Sequence, residues 1–236
     1  MHATEVFARY AAEFYRQPLP AEVIHHAKRA VIDWYASLFP GLDAAPVRML
    51  EQALGDDLDR GGAFLAQGRP ATAHAAALIN GTAAHAAEVD DSFREAMYHP
   101  GAATIAAAMA GGQDMGASGL RFLRGVVLGY EVSTRIGVVM GRSHYKFWHS
   151  TGTVGSFGAA AAAGGLMELD EVAFAHALAT AATFTAGLQQ AFRMDSMSKP
   201  LHAGRAAEAG LLAAQLARRG LTGSLDVLDG DAGLGQ

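Results

Sequence analysis

Two stretches of small side chains constrain this chain more than any other feature: AATIAAAMA from Ala102 and GAAAAAGG from Gly158. Segments this poor in side-chain volume let helices approach closely. They predict a tightly packed helical core and argue against a sandwich built on aromatic residues. The composition agrees, because 51% of the chain is apolar but only 8% is aromatic, so the apolar content is mostly Ala, Leu and Val. Both stretches are too short and too interrupted by Gly to span a membrane.

The rest of the chain extends this all-α reading. Residues 3–16 and 21–39 carry apolar side chains at helical spacing, with Pro18 and Pro20 between them and Pro40-Gly41 at the end. A third helix is expected over 45–56, and Gly61-Gly62 marks a short strand or turn. Ala71 opens a helix that Asn80-Gly81 is expected to stop, with helix resuming to about Val89. Residues 90–100 read as a loop, since Pro100 disfavours helix at His99. Helices follow from Gly101, over Gly119–Met140, over VGSFGAAAAAGGLM, over Glu168–Leu188 and over Ser198–Arg219, with residues 141–153 as a loop. Nothing repeats internally.

Composition also excludes whole classes of function. The net charge is −5 with no basic stripe, which argues against nucleic acid as a partner. The absence of Cys removes disulfides, thiolate zinc sites, Cys-ligated clusters and thiol nucleophiles. The opening MHATEVFARYAAEF has no basic segment followed by an apolar run, so a cytoplasmic protein is expected.

Against this apolar background, three polar clusters stand out. The first is NGTAAHAAEVDDSFREAMYHPG, residues 80–101, which gathers His85, Glu88, Asp90, Asp91, Ser92 and His99 where only 17% of the chain is charged. Buried carboxylates and imidazoles are costly unless paired or used, so the tract reads either as one wall of a small-molecule site or as ordinary turn and cap chemistry. The second runs from His144 to Thr151 and leads into TGTVGSFG. Its His149 and hydroxyls stand where free backbone N–H groups would favour an anion. Gly152, Gly155 and Gly158 lie on one helix face, a spacing that fits helix packing better than a dinucleotide fingerprint, since no strand precedes them. The third is SMSKPLHAGRAAEAG, where Lys199, His202 and Arg205 lie near a helix start and would attract carboxylates, or form a solvated basic turn. If the three helix starts converge, they form one polar pocket suited to proton transfer beside a carboxylate. Neither an HExxH spacing nor a GxSxG elbow is present. A metal site built from His99, His149 and Asp91 ranks below proton-transfer chemistry, and no metal is assigned.

Taken in order, LINGTAAHAAEVDDS with YHPGA, FWHSTGTVGSFGAAAAAGGLMELD and SMSKPLHAGRAAEAGLLAAQLARRGLTG resemble the MmgE/PrpD family. That family includes 2-methylcitrate dehydratases, cis-aconitate decarboxylases and iminodisuccinate epimerases. LPAEVIHHAKRAVIDWYASLFPG is similar to its N-terminal helix pair. The resemblance implies a helical domain over residues 1–236, with the family's smaller α/β domain absent from this chain. The chain is then a fragment, a truncated relative, or half of a site completed by a second chain. The resemblance further implies a homodimer and a metal- and cofactor-independent lyase or epimerase acting on a small di- or tricarboxylate. It assigns catalysis to Asp91, His99, His149 and Lys199, with Lys199 as carboxylate clamp. Substrate contacts fall to Glu88, Asp90, Ser92 and His202. The alternative is a non-catalytic helical module that binds carboxylates. Two departures bear on the substrate: Glu88 stands where the family commonly has aspartate, and SFREAMYHP lacks the family's Trp. An extra methylene moves a carboxylate by about an ångström, enough to matter at a reacting centre.

Overall fold

A computed structural model describes residues 1–194 and 196–235. The chain runs α1 (Ala3–Arg16), α2 (Ala21–Gly41), α3 (Ala45–Ala53), β1 (Leu58–Phe64), β2 (Pro70–Ala71), α4 (Ala73–Ala86) and α5 (Pro100–Asp114). It continues through α6 (Gly119–Tyr145), α7 (Ser150–Leu166), α8 (Glu171–Thr183) and α9 (Leu201–Ala217). The fold is therefore all-α, with one small antiparallel ribbon in which β1 pairs with β2. Side chains cap α4, α6 and α8, where Thr72, Ser118 and Asp170 accept from the N–H groups of Ala75, Arg121 and Ala173. Among the described residues, no helix is long and apolar enough to cross a membrane.

The centre of the molecule is α7, in which every residue from Ser150 to Leu166 is buried. It packs against α5, α6 and α9. Its Ala and Gly side chains each bury little area, so the core gains from many close contacts more than from a few large groups. Phe157 and, from α8, Phe174 are among the larger side chains wholly enclosed there. Close approach is enforced where α9 crosses α7. A Cβ on Gly210 would lie 2.5 Å from Ala159 Cβ, Ala160 N and Ser156 O.

Four sequence expectations need correction. Asn80-Gly81 does not stop α4, because tertiary partners take over what would otherwise be a turn signal. The buried Asn80 side chain accepts from Ala66 N–H at 3.1 Å and donates to Phe64 O at 3.0 Å, tying α4 to β1 and the turn after it. Gly81 lies against α9, where an added Cβ would come within 2.9 Å of Gly204 Cα. The expected loop over 141–153 shrinks, since α6 resumes after a break at Gly141 (φ 60°) and α7 begins at Ser150. The helix expected over Glu168–Leu188 is shorter at both ends, starting after the Asp170 cap and stopping at Thr183. Helix α9 begins at Leu201, after Pro200, and not at Ser198.

Gly210→Ala is expected to lower stability in urea unfolding by about 1–3 kcal/mol, the cost of overpacking a dense core. Gly119→Ala, in α6 with nothing within 4 Å of the new Cβ, should change it by less than about 1 kcal/mol. Equal or greater stability in Gly210→Ala would show that α7 and α9 are not held at contact distance.

Candidate functional site

Three helix starts and one helix end meet at a single point. His99 is the N-cap of α5, His149 the N-cap of α7, Lys199 precedes Pro200, the N-cap of α9, and His202 lies in the first turn of α9. From the other side, α4 delivers His85 in its last turn. Just beyond it Glu88 takes a left-handed conformation (φ 53°), and two residues further on Asp90 lies against His85. The starts of α5 and α7 are joined directly, since His99 N–H donates to Thr151 Oγ1 at 3.3 Å. Residues 187–189 pair with residues 147–149, where His149 N–H donates to Gly187 O at 2.8 Å.

The side chains form a continuous cluster. The side chains of His85 and Asp90 are each 1% exposed, and His85 Nδ1 lies 2.9 Å from Asp90 Oδ2. A carboxylate can only accept, so this contact places a proton of His85 on Nδ1. His99 Nδ1 stands 3.5 Å from the same oxygen. The His85 ring lies 5.0 Å from that of His99 and 5.3 Å from that of His149, nearly parallel to the latter. His149 and His202 share a hydrogen bond between their Nδ1 atoms at 3.0 Å, so one ring donates and the other accepts. Phe192 meets His149 edge-on at 4.5 Å. Lys199 Nζ sits 2.7 Å from Glu88 Oε1 and 4.8 Å from the centre of the Phe192 ring. Lys199, Glu88 and Phe192 line a cleft of about 660 Å³, together with Arg193, Ser196 and Met197.

Burial sets the protonation of this cluster. It pushes His149 down to about 2, helped by the neighbouring His85, His202, Lys199 and His99. It also lowers His202, with His85 and Lys199 adding to the effect. His99 is lowered by burial too, although the Asp90 charge pulls the other way. These three imidazoles are therefore neutral near pH 7 and have lone pairs to offer.

The structure brings His99, His149, Lys199, Glu88, Asp90 and His202 together. Asp91 points elsewhere: its Oδ1 accepts from Gly101 N–H at 3.0 Å in the first turn of α5, and its Oδ2 accepts from Tyr130 OH at 2.8 Å. Burial raises Asp91 to about 6 despite those two bonds. Ser92 is exposed, outside the buried cluster. Sequence reasoning assigned no role to His85, although it stands at the centre of the imidazoles. Its five-residue separation from Asp90 was a signal, hidden by the helix break expected at Asn80-Gly81. Phe192 and Tyr130 carried no sequence signal. The metal set considered from the sequence does not assemble, since Asp91 is turned away. Among the described residues, His85, Asp90 and His99 are the acid and imidazole groups close enough to share an ion.

The family model for the MmgE/PrpD N-terminal domain matches residues 5–236. A cis-aconitate decarboxylase-like protein, oryM, of Aspergillus oryzae is 31% identical over 241 residues, covering 97% of this chain and 49% of the relative. Human cis-aconitate decarboxylase is 37% identical over 166 residues, covering 68% of this chain and 34% of the relative. The mouse protein of that name is 34% identical over 172 residues, covering 68% of this chain and 33% of the relative. The chain thus spans about half the length of the fungal relative.

A pH dependence follows from the imidazoles. His149 has its ordinary value of 6.5 when unfolded and about 2 when folded, so the native state excludes a proton between those values. Stability is then fully present above pH 6.5 and falls as the pH drops, by up to about 1.4 kcal/mol per pH unit for each excluded proton. Asp91 acts in the opposite sense: raised from 3.8 to about 6, it favours the native state as pH falls through that window. Thermal melts from pH 7 to 5 should show a falling Tm, with a shallower slope in His149→Gln and a steeper one in Asp91→Asn. Parallel slopes in all three proteins would contradict this assignment.

Proposed function

The chain belongs to the MmgE/PrpD family, and on that footing we propose that it acts on a small di- or tricarboxylate by proton transfer alpha to a carboxylate. The reaction is a dehydration, a decarboxylation or an epimerisation. The observation that carries this reading is the meeting of neutral imidazoles with the Lys199 ammonium at the starts of α5, α7 and α9. The relatives named as cis-aconitate decarboxylases support a carboxylate substrate of that size.

All three reactions build negative charge onto a carboxylate as a bond at the neighbouring carbon breaks. A fixed cation at that carboxylate favours the transition state over the ground state, and Lys199 has this role. A substrate carboxylate reaches Lys199 by replacing Glu88, whose side chain is 57% exposed and can swing outward. One of His149 and His99 takes up or returns the proton. Burial among like groups keeps these imidazoles uncharged, and the negative charge of a bound polycarboxylate raises their proton affinity toward the working range. Asp90 holds the tautomer of His85, and His202 positions His149 through their shared hydrogen bond. Ser92 is assigned to substrate contact at the edge of the site. Asp91 acts at one remove, as a positioning residue that anchors the α5 turn following His99. In this reading the domain is homodimeric and cytoplasmic, and its chemistry runs without a metal.

Incubation with cis-aconitate, 2-methylcitrate and related acids, followed by proton NMR, should reveal turnover of one of them. His149→Gln and Lys199→Ala should each reduce it by about 100-fold or more. Turnover that survives both substitutions removes the assigned roles, and calorimetric binding without turnover supports the carboxylate-binding module instead. Glu88→Gln frees Lys199 from an exposed partner worth about 0–1 kcal/mol, so carboxylates should bind up to about fivefold more tightly.

A further inference from the structure

We propose that His85, Asp90 and His99 form a binding site for a first-row divalent cation of the zinc class. One ligand atom from each residue lies within 4.8 Å of the other two. Asp90 Oδ2 stands 2.9 Å from His85 Nδ1 and 3.5 Å from His99 Nδ1. These spacings bracket the roughly 3.3 Å that separates ligand atoms around a tetrahedral ion with bonds of about 2.0 Å. Coordination through Nδ1 moves each ring proton to Nε2 and leaves both imidazoles neutral, the form that binds metal.

His99 Nδ1, one of the proposed ligand atoms, is buried without a hydrogen-bond partner among the described residues, as is the second carboxylate oxygen of Asp90. A buried carboxylate is stable when it is paired or bound to a metal, and the ion-pair partners of Asp90 among the described residues are the imidazoles of His85 and His99. The donor set selects the ion. Two imidazoles and one carboxylate suit zinc and its neighbours, whereas calcium and magnesium favour all-oxygen shells. Electrostatics permit a cation here, because the nearby Lys199 charge is offset by Glu88 at 2.7 Å. The His99 side chain is 29% exposed, which leaves an open side for entry and for a fourth ligand.

The proposal goes beyond the carboxylate chemistry and opposes it: an ion held by His99 removes one of the two acid–base candidates, so ion and substrate exclude each other. It is tested by a readout that needs no turnover. After treatment with chelator, the protein is titrated with Zn2+ by calorimetry and its metal content measured after dialysis. One chelator-reversible Zn2+ per chain is expected, and Co2+ in its place should give the intense visible bands of a four-coordinate site. Asp90→Asn and His99→Gln should each weaken binding by more than about 100-fold, beyond the loss an outer-shell partner causes. Replacing His25 and His26 by Gln should change nothing. If Asp90→Asn fails to fold, His99→Gln at the exposed edge decides. Failure to retain Zn2+, equal retention by His99→Gln, or loss on replacing His25 and His26 would each overturn the site.

Discussion

The close approach of α7 to its neighbours is the constraint on which the rest of the structure depends. A helix buried on every side cannot be placed by an apolar stripe, because it has no polar face to turn outward. Small side chains place it instead. Gly210 of α9 admits the α7 backbone at a distance that a single methyl group would block. Gly81 of α4 admits α9 in the same way. The N-termini of α5, α7 and α9 lie in one region because these mutually packed helices start at the same end, where His99, His149 and His202 gather around His85. The polar site is thus a consequence of apolar packing.

Convergence of helix starts gives the site its electrostatic character. The free N–H groups of a helix start favour negative charge, and imidazoles held there stay neutral when they are also buried. His149 combines both conditions most fully, as the N-cap of α7 with His85 and His202 on either side. The neighbouring rings and Lys199 lower its proton affinity further, so the cluster resists protonation collectively. Asp90 is the counterweight. Its contact with His85 fixes one tautomer, and its charge pulls His99 upward against burial. The proposed carboxylate and cation would thus engage different sides of one cluster, the first at Lys199 and the second at Asp90.

Much of this was legible in the residues, and what was missed has physical causes. The Ala-rich runs announced close-packed helices, and the prolines beside His99 and Lys199 marked two of the helix starts. Asn80-Gly81 misled because a local turn signal cannot reveal that Asn80 will find Ala66 and Phe64 as partners, or that Gly81 will face α9. The roles expected for Asp91 and Asp90 turn on side-chain direction, which the sequence does not carry. Adjacent residues in a loop point to different sides, and only the left-handed turn at Glu88 determines that Asp90 faces His85 while Asp91 faces α5 and Tyr130. His85 was read as part of the tract but given no role, because its contacts with Asp90, His99 and His149 arise from tertiary packing that helical spacing does not show.

Glu88 joins the backbone geometry to the chemistry. A glutamate in the left-handed region carries a conformational cost of about 1–2 kcal/mol that glycine would avoid. At that position glycine would also ease the turn, but it would leave Lys199 without its partner across the cleft. The extra methylene relative to aspartate extends the reach of the carboxylate while the backbone stays fixed. Because the pair is partly exposed, its net strength is small, so another carboxylate can take the place of Glu88 at little cost. In the proposed reading the ammonium stays paired until an anion replaces Glu88, the more exposed member of the pair.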